Sequence, residues 1–349
     1  RSLTPRQNLE AAAYYNRRDL DNAIPFRFIK LDRQVFGSRV QYDFTSDIAG
    51  ITQQMFAGFD VQYQNDDRTN FENMGGDPGD TLLLSQDEEV TGIGLYLQEE
   101  ITISEKWSAV FGGRYDHVKF EVDDHLTADG DDSGSKTFDQ VTGRFGLIYN
   151  LRPHVQVYAN IAESFETPTT TELVNRPEGG GGINPDLEPQ QSINYEIGLK
   201  GMLGSRLSYE AAIFYIRLED ELIAFRDITD RVFYRNAGES RRIGAELGLA
   251  LEILNGLEMY LAYTFLDAEF ESYVKDGVNL EGNEVPGIPN HQIFGEIFYS
   301  HPSGFYAGLD THFVCEFFAD DENTVENRDY IVTDIRTGFR KQLGKWLIT

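Results

Sequence analysis

Leu257-Glu258-Met259-Tyr260-Leu261-Ala262-Tyr263-Thr264-Phe265 alternates with a period of two. Its odd positions are Leu, Met, Leu, Tyr and Phe. Its even positions are Glu, Tyr, Ala and Thr. Successive side chains of a strand point to opposite faces, so this stretch makes a strand with one apolar side. The same rhythm recurs to either side. Ile193, Tyr195, Ile197 and Leu199 oppose Asn194, Glu196 and Gly198. Ile243, Ala245, Leu247, Leu249 and Leu251 oppose Gly244, Glu246, Gly248 and Ala250. Residues 155–161 repeat the pattern, and Ile331, Thr333, Ile335, Thr337 and Phe339 oppose Val332, Asp334, Arg336, Gly338 and Arg340. A soluble sandwich would turn its apolar faces inward. A transmembrane barrel turns them out to lipid and lines a watery lumen with the rest. Alternation alone leaves both open.

The connections separate them. Short ones fall at residues 45–50, 104–107, 150–153, 203–206, 254–256, 301–304 and 343–345. They carry turn chemistry such as Asn255-Gly256 and Pro302-Ser303-Gly304. Long ones fall between them, at 17–33, 64–89, 122–137, 164–189, 218–240, 268–289 and 319–328. Short turns on one side and long loops on the other mark an outer-membrane barrel, with the turns periplasmic and the loops extracellular. The fold expected is all-β: an antiparallel transmembrane β-barrel of fourteen or so strands plus a starting fifteenth. Strands longer than the ~9–11 residues that cross a bilayer are expected to continue above it as extended hairpins.

Composition agrees. Of 349 residues 13% are aromatic, mostly Tyr and Phe, and no apolar run of ~18 residues exists to form a membrane helix. The formal charge of −28 argues against nucleic acid as a partner. Its acids concentrate in the long connections, as in Asp123-Asp124 and Asp320-Asp321-Glu322, where they read as solvated loop tips. Cys315 is the single cysteine, so no internal disulfide forms. The chain starts at Arg1 without a signal peptide and stops at Thr349 as a strand begins, which reads as a fragment at both ends.

Ala162-Glu163-Ser164-Phe165-Glu166-Thr167-Pro168-Thr169, Gly182-Ile183-Asn184-Pro185-Asp186-Leu187-Glu188-Pro189, Asn194-Tyr195-Glu196-Ile197-Gly198-Leu199-Lys200-Gly201, Tyr234-Arg235-Asn236-Ala237-Gly238 and Arg242-Ile243-Gly244-Ala245-Glu246 follow one another in this order. Together they resemble the barrel of TonB-dependent outer-membrane receptors, most closely the siderophore-receptor branch. The resemblance spans about 155–251; elsewhere it is one of rhythm. It implies a 22-stranded barrel in the bacterial outer membrane, closed by a plug folded from an N-terminal domain. Residues 1–349 would then be a partial barrel domain, with the plug, the TonB-recruiting segment and the last strands outside this chain. It also implies active import of a ferric siderophore, or of haem or a cobalamin-type chelate, powered through the TonB complex.

No catalytic or metal-ligating constellation is present: no nucleophile elbow, no triad order, no His or Cys cluster at ligand spacing, and no cofactor motif. Gly179-Gly180-Gly181-Gly182 lacks the Lys-Ser/Thr of a phosphate loop and reads as a flexible linker. Phe165, Phe225, Arg226, Arg231, Phe233, Tyr234 and Arg235 are candidate ligand contacts. Aromatic rings stack on a chelate, and guanidinium groups pair with its negative charge. Packing among loops, or pairing with loop acids, accounts for the same residues. Arg114, Arg144, Arg336 and Arg340 fall on the lumen register and are candidates to meet the plug. Trp107 and Trp346, beside short turns, suit an interfacial girdle. Rival readings are a passive porin, a surface adhesin or barrel hydrolase, and a soluble secreted β protein.

Overall fold

In the computed structural model the described residues are 2–128, 130–174, 182–226, 232–236, 238–275, 277–343 and 346–348. The elements run β1 (Ser2–Thr4), β2 (Gln7–Ile24), β3 (Arg27–Ile48), β4 (Ile51–Met74), β5 (Asp77–Thr102), β6 (Trp107–Asp124), β7 (Gly134–Arg152), β8 (Val155–Glu166), α1 (Thr170–Leu173), β9 (Gln190–Leu203), β10 (Leu207–Glu219), β11 (Leu222–Arg226), β12 (Val232–Asn236), β13 (Glu239–Leu254), β14 (Leu257–Ser272), β15 (Val274–Lys275), β16 (Val278–Asn279), β17 (His291–Ser300), β18 (Phe305–Val314), β19 (Phe317–Phe318), β20 (Glu326–Asn327), β21 (Tyr330–Phe339), β22 (Lys341–Leu343) and β23 (Trp346–Ile348). Fifteen strands make one antiparallel sheet in which every strand pairs with its neighbours in chain order. β11–β12, β15–β16, β19–β20 and β22–β23 are separate two-stranded ribbons.

The register fixes which residues share a face. One row runs Trp107, Tyr149, Val157, Leu199, Ala211, Leu247, Tyr263, Ile293, Phe313 and Ile331 across ten strands. On the same face Leu95, Ile213 and Ile335 are 52%, 59% and 77% exposed. Side chains this apolar and this open exclude a two-sheet sandwich with a dry core, and leave hydrocarbon as their medium. The opposite face runs Tyr158, Gly198, Ala212, Glu246, Thr264 and Gln292 on one stretch of wall. It runs Arg39, Asp60, Gly94, Asp116 and Gln140 on another.

The apolar face ends at a level. Above Tyr215, Ile243 and Phe265, the same register continues as Arg217, Arg241 and Asp267. Trp107 lies against Tyr149 at the short-turn end, with ring centroids 4.5 Å apart. Hydrocarbon thus lies between an aromatic pair below and charged residues above.

The short turns are tight. At Ala49-Gly50 both residues have positive φ, 55° and 84°, which gives the hairpin a turn whose twist matches its strands. Two of the expected long connections are corrected. Residues 17–33 and 64–89 are regular strand almost throughout: β2–β3 closes at Pro25-Phe26 and β4–β5 at Gly75-Gly76. Cross-strand pairs such as Arg17–Asp32 carry the ladder beyond the apolar level. The other long connections are irregular or hold the small ribbons.

On the inner face, large side chains lie over glycines of the next strand. Tyr158 occupies the space a Cβ at Gly198 would need; Tyr96 does so at Gly58 and Phe214 at Gly244. The missing side chain lets the ring lie flat along the wall.

Candidate functional site

The inner wall and its extracellular rim are where a ligand or an internal domain can be met. On the wall, Arg114 reaches Asp60 with Nη1 at 2.8 Å and Asp116 with Nη2 at 2.6 Å, and Arg39 adds a longer pair to Asp60 at 3.7 Å. Arg336 donates to Asp310 at 2.5 Å and also to Glu296, with its guanidinium over the Phe298 ring. Arg340 lies over the Tyr306 ring. Arg144 is exposed, its stem against Gly112. All four expected lumen arginines therefore stand on the inner register. Arg114 and Arg336 are already charge-matched within the wall, whereas Arg144 and Arg340 form no ion pair among the described residues.

At the rim, the segment after β8 turns inward. Thr169 and Glu172 form a capping box on α1: Glu172 Oε2 accepts from the Thr169 N–H at 2.7 Å, and Thr169 Oγ1 accepts from the Glu172 N–H at 3.4 Å. This short turn aims Leu173 at the wall. Leu173 and Leu187 are buried against Phe120 and Phe138, with Val90, Val118, Ile183, Leu222 and Tyr234 around them. Polar ties hold the seat. The Asn184 N–H donates to Leu173 O at 2.6 Å, and Lys136 Nζ donates to Pro185 O at 2.6 Å. Asn236 Nδ2 donates to Glu188 O at 2.8 Å and Asp220 O at 2.7 Å. Arg68 Nη1 joins Thr171 Oγ1 at 3.2 Å to Glu88 at 3.3 Å. Glu88 is buried, and burial pushes its carboxyl above the usual range against the pull of Arg68 and Gln86.

A second rim cluster joins two loops. Lys275 pairs with Asp321 and Glu322, both at 3.0 Å, and Tyr273 donates to Asp321. Burial, reinforced by Asp321, pushes the Tyr273 hydroxyl up to about 12. Asn323 exchanges hydrogen bonds with Glu284 across the same gap.

The expected ligand contacts scatter. Phe233 is buried, and Tyr234 packs at the edge of the Leu173–Leu187 seat. Arg235 donates to Val274 O at 3.1 Å. Phe165 pairs with Gln191 on the same strand face as Ile161, away from the mouth. Phe225 and Arg226 belong to β11, opposite Phe233 and Val232, and their side chains lie outside the described residues, as does Arg231. The Gly179–Gly181 part of the glycine run lies outside them too. Leu173, Leu187, Lys136, Asn236 and the Arg68–Glu88 pair escaped sequence reasoning. Only the Thr169-x-x-Glu172 spacing was there to be read as a helix start.

The family described as TonB dependent receptor-like, beta-barrel, matches residues 2–347. This chain belongs to the TonB-dependent receptor β-barrel family. It lies in the bacterial outer membrane, and its named relatives are receptors, not enzymes. It is 27% identical over 227 residues to the metal-pseudopaline receptor CntO of Pseudomonas aeruginosa, covering 64% of this chain and 30% of that protein. It is 25% identical over 328 residues to the ferrioxamine B receptor of Salmonella typhimurium, covering 89% of this chain and 43% of that one. The chain thus spans less than half the length of these relatives. In fold it matches unliganded ferric citrate transporter FecA with a TM-score of 0.81 at 18% identity, over 98% of this chain and 53% of FecA. The siderophore receptor PiuA from Acinetobacter baumannii gives 0.77 at 20% identity, over 98% of this chain and 57% of PiuA.

Proposed function

We propose that the protein of which this chain forms the barrel wall imports a metal chelate, a ferric siderophore first among the classes, across the outer membrane. Supporting this is the family match along 2–347, on a sheet whose apolar face is open and whose polar face lines an interior. The relatives named for pseudopaline-bound metal and for ferrioxamine point to the same class of cargo. A plug folded from another part of the protein fills the lumen and couples to TonB. Arg144 and Arg340 meet it first, because Arg114 and Arg336 already hold wall carboxylates. Tyr234 on β12 reaches the chelate at the mouth, and the Leu173–Leu187 seat beside it sets how wide that mouth is. In a strain lacking the full gene, iron-limited growth on a panel of ferric siderophores, haem and corrinoids should fail for one chelate and return on complementation. Unchanged growth on every chelate would refute import.

A further inference from the structure

We propose that the mouth selects iron chelates of zero or positive net charge and turns strongly anionic ones away. This deepens the transport reading above and rests on it. The position of the charge carries the inference. The described residues of 17–34, 64–91, 117–139, 163–191, 217–242, 267–291 and 316–329 stand above the apolar level. They hold 37 Asp and Glu against 15 Lys and Arg, an excess of 22 negative charges on the extracellular side. The membrane level and the short turns are close to neutral by comparison.

Geometry shows where the cations of that region point. Arg33 pairs with Asp66 at 2.6 Å, Arg68 with Glu88 at 3.3 Å, Lys136 with Glu188 at 3.2 Å and Arg242 with Glu221 at 3.3 Å. Lys275 holds two carboxylates at once. These inward or rim cations are neutralised inside the protein, so an incoming carboxylate or catecholate would have to displace a bond already made. Two stretches depart from the acid excess. Residues 17–34 hold five bases against three acids, and the described part of 217–242 holds five against four. In both, Arg17, Arg217 and Arg241 bond Asp32, Glu239 and Glu269 on the outward register. Among the described residues no group of three His, Cys, Asp or Glu side chains is placed to hold a metal ion. The acids therefore act as a diffuse field on a metal that arrives wrapped in its chelator. A field of this kind changes local concentration and capture rate by about 10- to 1,000-fold, and salt screens it.

The test uses the full-length receptor in its own outer membrane, with radioactive iron carried by matched chelates. One pair is a ferric trihydroxamate with a free terminal amine and the same chelate with that amine succinylated. Ferric tricatecholate and ferric citrate extend the series toward anions. The expected result is initial capture about tenfold faster for the cationic member at low salt, with the gap largely closed at 1 M salt, where screening acts within about 3 Å. Asp67→Asn, Asp80→Asn and Asp123→Asn combined should narrow the low-salt gap several-fold without loss of the folded barrel. Faster capture of the anionic member, or a preference that salt leaves untouched, overturns the charge selection while import stands. Receptor-dependent uptake of none of the series removes both.

Discussion

One strand, β6, carries two surfaces that differ in everything except backbone. Ala109, Phe111 and Tyr115 look outward; Gly112, Arg114 and Asp116 look inward. The rings of Phe111 and Tyr115, 47% and 39% exposed, are received by hydrocarbon, and only the Tyr115 hydroxyl takes a polar partner, Asp139. The inward set needs one at every charge, and Arg114 has two in Asp60 and Asp116. The difference teaches that this wall separates two solvents. Its inner side turns apolar only higher on the strand, at Phe120, where Leu173 and Leu187 cover it.

That last contact offers the largest effect. Leu173→Ala should cost about 2–5 kcal/mol of local stability. Hydrogen exchange should accelerate across 182–189 while β9 and β10 keep their protection; equal loosening of the strands would mean the seat is part of the wall. Leu247→Arg, on the outer face, should cost about 2–4 kcal/mol, read as a lower urea midpoint for the heat-modifiable folded band. Ala212→Arg, on the inner face beside Glu246, should cost far less. Equal costs would break the comparison. Gly198→Val collides with Tyr158 and should cost about 1–3 kcal/mol, much of it recovered in the double variant with Tyr158→Ala. Thr169→Ala removes the α1 cap for about 1 kcal/mol, visible only in the exchange of the 169–173 turn.

The smallest effect is one of pH. The folded-state pKa of Glu88 is raised, so the folded protein binds its proton more tightly than the unfolded chain does. Stability from this group should therefore fall as pH rises from the ordinary glutamate value through the raised one. Glu88→Gln should remove that slope from the exchange rates of β5 above the membrane. A slope of opposite sign would mean that the pull of Arg68 outweighs burial.

The strands were legible because each declares its own two faces locally: Ile243 to Leu251 needs no distant partner to show its alternation. The turns were legible for the same reason, through Asn255-Gly256 and its kind. The extended hairpins of β2–β5 were half legible. Above the membrane both faces are polar, so residues 17–33 and 64–89 lose the alternation that marks a strand, although their pairing persists. The rim was opaque. Thr171 meets Arg68 from 103 residues away, and Leu173 settles on Phe120 and Phe138 without any periodic signal. Phe165 misled because its neighbours in sequence suggested a loop, while its register in β8 turns it to the outer face.

The account stands or falls on which solvent meets each face. With Cys315 replaced by Ser, single cysteines from residue 243 to residue 251 can be spin-labelled in the full-length protein in bilayers. Collision with oxygen reports hydrocarbon, and collision with a water-soluble nickel complex reports water. Oxygen accessibility should peak at 243, 245, 247, 249 and 251, with nickel at its minimum there and the reverse at even positions. Nickel access at the odd positions, or no alternation along the strand, would contradict the assignment of lipid outside and water within.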